Sequence, residues 1–126
     1  MGKGPDIGIL SLFEMVIGSG IIVLWIVESR SLKEKRGVLS RILKRTQNEF
    51  NISIAEIGEN DHWKKAKVGF SVVGNDRRYI NRKIDHILKF VDNLHLAEVL
   101  NTKIEITNIP DSMDHIEYNE DKYNEF

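Results

Sequence analysis

Cysteine is absent from the 126 residues. That excludes disulfides, cysteine-ligated zinc and thiol catalysis, and it agrees with a reducing compartment. Proline occurs only twice, as Pro5 near the start and as Pro110, which ends the last regular segment. The four histidines (His62, His86, His95 and His115) are scattered, and none makes a helix-spaced ligand pair of the HExxH kind. Gly18-Ser19-Gly20 is too short for a phosphate loop, and it falls where a bulge or a close backbone approach is expected instead. No Ser-His-Asp arrangement can be assembled. Glu56, Asp61 and His62 can be written as an acid–base or metal cluster, but a polar loop at the mouth of a hairpin is the ordinary explanation. The reading is therefore non-enzymatic, with no cofactor, no metal and no small-molecule substrate.

What is present is an ordinary globular composition, 41% hydrophobic and 29% charged, sufficient for one domain with one core. The net charge of −1 conceals an asymmetry. Residues 111–126 carry −5, residues 1–14 carry −1, and the remaining 15–110 therefore carry +5. This suggests three parts: a flexible extension over 1–14, a domain over 15–110, and an acidic, mobile tail over 111–126.

The most informative stretch is Ser31–Phe50, read as one amphipathic helix. Ser31 is its N-cap, and Glu34 stands at capping-box spacing. Leu32, Val38, Leu39, Ile42 and Leu43 share one side. Lys33, Arg41, Lys44 and Arg45 share the other, with Lys35 and Arg36 at the margins. Between Ser31 and Asn48 there are six basic residues against one acid.

Before this helix, Ile7–Val27 is long and apolar enough to suggest a membrane span. Glu14 near its middle and the β-branched run Ile21-Ile22-Val23 argue instead for a buried strand, Met15–Val27. No membrane association is therefore expected. Asn51–Ile57, Trp63–Val73 and a segment within Ala97–Thr107 read as three further strands. Arg77–Leu94 reads as a second helix, with the stripe Ile80, Ile84, Ile87, Leu88, Val91 and Leu94. The order β-α-β-β-α-β predicts an α+β ferredoxin-like sandwich: a four-stranded antiparallel sheet with two helices on one face.

The first strand is apolar on both sides, with Ile17, Ile21, Val23, Trp25 and Val27 on one and Val16, Ile22, Leu24 and Ile26 on the other. One set goes under the helices and the other lies on the open face, where an apolar patch invites a partner. Ile22, Leu24, Trp25 and Ile26 are the interface candidates for a homodimer.

The runs ESRSLKEKRGVL (Glu28–Leu39), NISIAEI (Asn51–Ile57) and HWKKAKVGFSVVGND (His62–Asp76) resemble the bacterial DUF503, or YlxP-like, family. The family pattern has EARSLKEKR, then an N-x-S-x-AE strand, LW followed by two basic residues and Ala, and SND. The resemblance spans about residues 15–108. It implies a ferredoxin-like fold, a cytoplasmic setting, and an association with RNA or ribosomes. Three departures are the added residues 1–14, Val27 where a proline is common, and the acidic tail.

Two functional readings follow. One is RNA or ribosome association through basic residues: Arg30, Lys33, Lys35, Arg36, Arg41, Lys44 and Arg45 around the first helix, and Lys64, Lys65 and Lys67 beside Trp63. Basic side chains next to an aromatic suit phosphate contact with base stacking. The helix N-terminus at Ser31 would add a phosphate site. An aromatic pair of the RRM kind is missing, which favours backbone or structured-RNA binding over sequence reading. The other reading is the homodimeric interaction module built on the open sheet face.

Overall fold

The computed structural model describes residues 14–110. The flexible extension and the acidic tail expected at the two ends lie outside the described residues, Glu14 excepted. The elements are β1 (Glu14–Trp25), α1 (Leu32–Glu49), β2 (Ser53–Gly58), β3 (Lys65–Gly74), α2 (Arg77–Asn93) and β4 (Glu98–Pro110). The strands form one antiparallel sheet in the order β2-β3-β1-β4, with both helices packed on one face. This is the ferredoxin-like α+β arrangement. No helix among the described residues is long and apolar enough to cross a membrane; the apolar run entering from the N-terminal side is a strand from Glu14 onward.

β1 occupies a central position because it is apolar on both faces, and it pairs with β3 and β4 along its length. Its alternation decides which side is core. Val16, Ile22 and Leu24 face the helices together with Ala66, Val68, Phe70 and Val72 of β3. Leu39 and Ile42 of α1 close the core from above, along with Ile80, Ile84, Ile87 and Val91 of α2. Two of the candidate interface residues on β1, Ile22 and Leu24, and Ile26 just after it, are therefore corrected to core positions, each 1% exposed. Of the four, Trp25 alone lies on the open face, where its register partners are Lys65 and Glu98.

The helices begin as their caps dictate. Ser31 Oγ accepts from Glu34 N at 3.1 Å, and Asp76 Oδ1 accepts from Arg78 N at 3.0 Å. The Glu34 carboxylate reaches past the cap to Arg30 N at 2.7 Å. A carboxylate thus already sits in the first turn of α1, where its charge opposes a phosphate. α2 ends with His95 in the left-handed region (φ 55°), a position that glycine fills more readily.

Gly18 and Gly20 mark a close approach. A Cβ on Gly18 would lie 2.6 Å from Ile80 Cγ2 and 2.7 Å from Ile84 Cδ1. One on Gly20 would lie 2.5 Å from the Phe70 ring and 2.7 Å from Ile104 Cδ1. The register shifts lie elsewhere, at Val23/Leu24 against β4 and at Glu56/Gly58 against β3. An isoleucine tip can swing aside but an aromatic ring in a packed core cannot. Gly20→Ala should therefore cost about 1–3 kcal/mol of unfolding free energy, and more than Gly18→Ala. Urea denaturation of the two variants measures this, and equal small losses would contradict the rigid-ring argument.

Candidate nucleic-acid interface

The structure divides the eleven candidate basic and aromatic residues among three environments. Lys35 is in the core. It falls in the buried stripe Lys35-Leu39-Ile42-Thr46 of α1, not at its margin, and is 1% exposed. Its ammonium pairs with Glu56 Oε2 of β2 at 3.3 Å and donates to the Glu59 carbonyl. Glu59 turns the β2–β3 loop with φ at 60°, a conformation that side chains rarely adopt. Lys35 is thus a structural residue and is withdrawn from the nucleic-acid candidates.

The second environment surrounds Trp63. Lys64 Nζ donates to the carbonyls of Val27 and Ser29 and sits 5.3 Å from the centre of the Trp63 ring. Ser29, itself buried, donates its hydroxyl to the Trp63 carbonyl at 2.6 Å. These bonds tie the β1–α1 loop to the β2–β3 loop. Lys65 pairs with Glu59 at 3.8 Å. Lys65 and Lys67 alternate with buried Ala66 and Val68, which places both on the open sheet face, opposite the helices. The Trp63 cluster therefore does not extend the basic surface of α1. Trp63 itself remains 45% exposed.

The third environment is the outer surface of α1 and its lead-in. Arg30, Lys33, Arg36, Arg41, Lys44 and Arg45 are all exposed. Among the described residues none of them takes part in an ion pair. α2, which periodicity alone presents only as an apolar stripe, extends this surface. It carries Arg77, Arg78, Arg82, Lys83 and Lys89 against Asp85 and Asp92, a net of +3. Counting charge on each helix separately would have found them. The helical layer is thus where the domain's positive charge is concentrated.

The acid–base cluster does not assemble. Glu56 is committed to Lys35, while Asp61 is exposed. His62 Nδ1 accepts from Lys64 N and Lys65 N at 3.1 and 3.0 Å, and its ring packs edge-on to Trp25. No group of three or more ligating side chains suited to a metal occurs among the described residues.

A four-stranded antiparallel sheet, covered on one face by two helices with a basic outer surface, defines a small ferredoxin-like α+β domain. The chain belongs to the family described as a protein of unknown function (DUF503), which residues 17–104 match. The uncharacterized protein YlxP of Bacillus subtilis (strain 168) is 41% identical over 80 residues, which is 64% of this chain and 87% of that protein. Among solved structures, the de novo designed protein Foldit4 is similar over 75% of this chain and 94% of its own, at 19% identity and a TM-score of 0.38. The structural-genomics protein YJCS is similar over 71% and 96%, at 12% identity and a TM-score of 0.39. Likenesses of that size carry no functional argument. Three positions that match the family pattern acquire a physical meaning here: Ser31 and Glu34 cap α1, and Lys35 bonds it to β2 and the β2–β3 turn, whereas Ser29, which ties the lead-in to Trp63, stands where the pattern has alanine.

Removing the Lys35 ammonium leaves the Glu59 carbonyl with only the His62 N–H, at 3.0 Å, and Glu56 without its partner. Lys35→Ala should cost about 2–4 kcal/mol, and Lys35→Met, which keeps the packed stem, about 1–2 kcal/mol. Guanidinium denaturation distinguishes the two. A Met variant as stable as the parent would mean that the polar bonds contribute nothing.

Proposed function

We propose that this domain is a non-enzymatic RNA-binding module, of the kind that associates with ribosomes, and that it contacts RNA through its helical layer. The observation that carries this reading is the row of exposed α1 cations, Lys33, Arg36, Arg41, Lys44 and Arg45, without ion-pair partners among the described residues. Protein acids neutralise most basic surfaces locally. A surface left without them attracts polyanions, and its contacts release counterions on binding. The reading predicts affinity that falls steeply with salt. Reversing Arg41, Lys44 and Arg45 to Glu together should weaken binding of a structured RNA at least tenfold. It should also flatten the salt slope by about one for each phosphate that the protein no longer neutralises. Fluorescence anisotropy against a labelled RNA hairpin at two salt concentrations measures both. An unchanged affinity would overturn the reading.

A second reading rests on the open sheet face. Ile17, Ile21, Val23 and Trp25 run down its centre, flanked by exposed Val73, Ile57 and Ile109. Its strands have 12, 6, 10 and 13 residues. At a rise of about 3.3 Å and a strand spacing of about 4.8 Å, they present roughly 650 Å². That approaches the roughly 800 Å² per partner of a standard stable interface. A second copy packed face to face satisfies this surface and leaves the helical layer free for RNA. Trp25→Glu should then convert a dimer to a monomer in sedimentation equilibrium. A parent protein that stays monomeric up to about 1 mM would eliminate this second reading, since a Kd weaker than that corresponds to no more than about 4 kcal/mol of association.

A further inference from the structure

We infer that the cleft between the C-terminal end of α1 and the flank of α2 is a binding site for an unpaired nucleotide, with Tyr79 as the stacking platform for its base. This inference rests on the RNA reading above and names the part of an RNA that the helical layer would hold. The cleft is lined by Glu49, Phe50, Asn51, Tyr79, Arg82, Lys83 and His86. Tyr79, Lys83 and His86 follow one another at helical spacing on the flank of α2 that faces α1, because Ile80, Ile84, Ile87 and Val91 take the core side. At one end the cleft is closed by Phe50, packed edge-on to Phe90 with ring centres 5.5 Å apart.

Tyr79 is 46% exposed and lies outside the core. Its ring is nevertheless held in place. One ring edge is beside Gly74, where an added Cβ would come 3.5 Å from Tyr79 Cδ2. Lys83 Nζ stands 5.9 Å from the ring centre and is anchored by donating to the Asn51 carbonyl at 2.9 Å. Lys83 takes one face of the ring, and the residue is still exposed enough to offer the remaining surface to a base; stacking accepts any base. Arg82 and His86, both exposed on the same lip, supply donors for the flanking phosphates. Arg41 and Arg45 continue the cationic track along α1, since Arg41 lines the cleft at the far end of the same helix pair and Arg45 lies one turn on from it toward Glu49. A duplex cannot offer an unstacked base to Tyr79, whereas a single strand or a loop can.

The test uses the full chain and two labelled probes of equal length, an unstructured oligouridine and an RNA duplex, in anisotropy titrations. Three variants accompany the parent protein: Tyr79→Ala, Tyr79→Phe, and the Arg41/Lys44/Arg45 reversal. The expected result is that Tyr79→Ala weakens oligouridine binding about tenfold and leaves duplex binding unchanged, while Tyr79→Phe retains both. The charge reversal should weaken both probes. An unchanged oligouridine affinity in Tyr79→Ala overturns the stacking site. Equal weakening on the two probes overturns it as well, because it marks a general change rather than the removal of a stack. In either case a charge reversal that still weakens both probes leaves the RNA reading standing. A parent protein that binds neither probe overturns both proposals.

Discussion

The buried ammonium of Lys35 adds directional bonds between three parts of the fold: the first helix, the edge strand beside it and the turn that follows that strand. It leaves α1, pairs with Glu56 on the edge strand β2, and donates to the carbonyl of Glu59, holding the β2–β3 turn in a left-handed conformation. A lone charge at that depth would be prohibitive. It is tolerated because a carboxylate and a carbonyl await it, and their geometry then fixes how far α1 can slide along the sheet. The bonds from Ser29 and Lys64 complete the arrangement by joining the β1–α1 loop to the same hairpin. One end of the molecule is thus held by polar contacts of defined direction. The middle is held by the non-directional packing of β1 and β3 beneath the two helices.

This division of labour separates two surfaces with different chemistries. The helical layer turns its apolar stripes inward and, apart from Lys35, leaves its arginines and lysines outside. The far side of the sheet presents a flatter area. Its central rows include Ser53, Ser71 and Ser19 side by side, and Ala55, Gly69 and Ile21 in the next row. The small side chains of these rows, Ile21 apart, leave a shallow floor between the larger Ile17, Val23, Trp25, Ile57 and Val73, whereas the helices make a ridged and cationic surface. A polyanion and a second copy of the chain would therefore not compete for the same ground, and the two readings of the protein are compatible with one another.

Much of this is legible from residues alone. The element order, the Ser31 N-cap and the apolar stripe of α2 follow from periodicity and cap chemistry, which are local properties. What is not legible depends on distance in space. Lys35 reads as the margin of a stripe, because its partner lies two elements away and no local pattern announces a buried lysine. The two faces of β1 are equally apolar, so alternation shows that there are two sets without showing which the helices cover. Ile22, Leu24 and Ile26 consequently fall on the wrong side in a reading by alternation. The cluster beside Trp63 reads as one basic patch, yet a strand sends Lys65 and Lys67 to the face away from α1, and Lys64 is consumed in tying loops together. The residues of the cleft at Tyr79 escape notice for the opposite reason, since a strong apolar stripe draws attention away from the charges on the helix's other flanks.

The central place of β1 has a consequence for synthesis on the ribosome. This strand emerges first among the described elements, yet one of its two neighbours, β4, begins only at Glu98. At about 5–20 residues per second, a nascent chain waits roughly 4–15 s between the completion of β1 and the arrival of that partner. Throughout that interval Ile17–Leu24 cannot be hydrogen-bonded on both sides, and its apolar side chains lack their final cover. The strand that organises the finished domain is therefore also the segment most in need of shelter while the chain is being made, and the exit tunnel and its attendant chaperones must supply what β4 later provides.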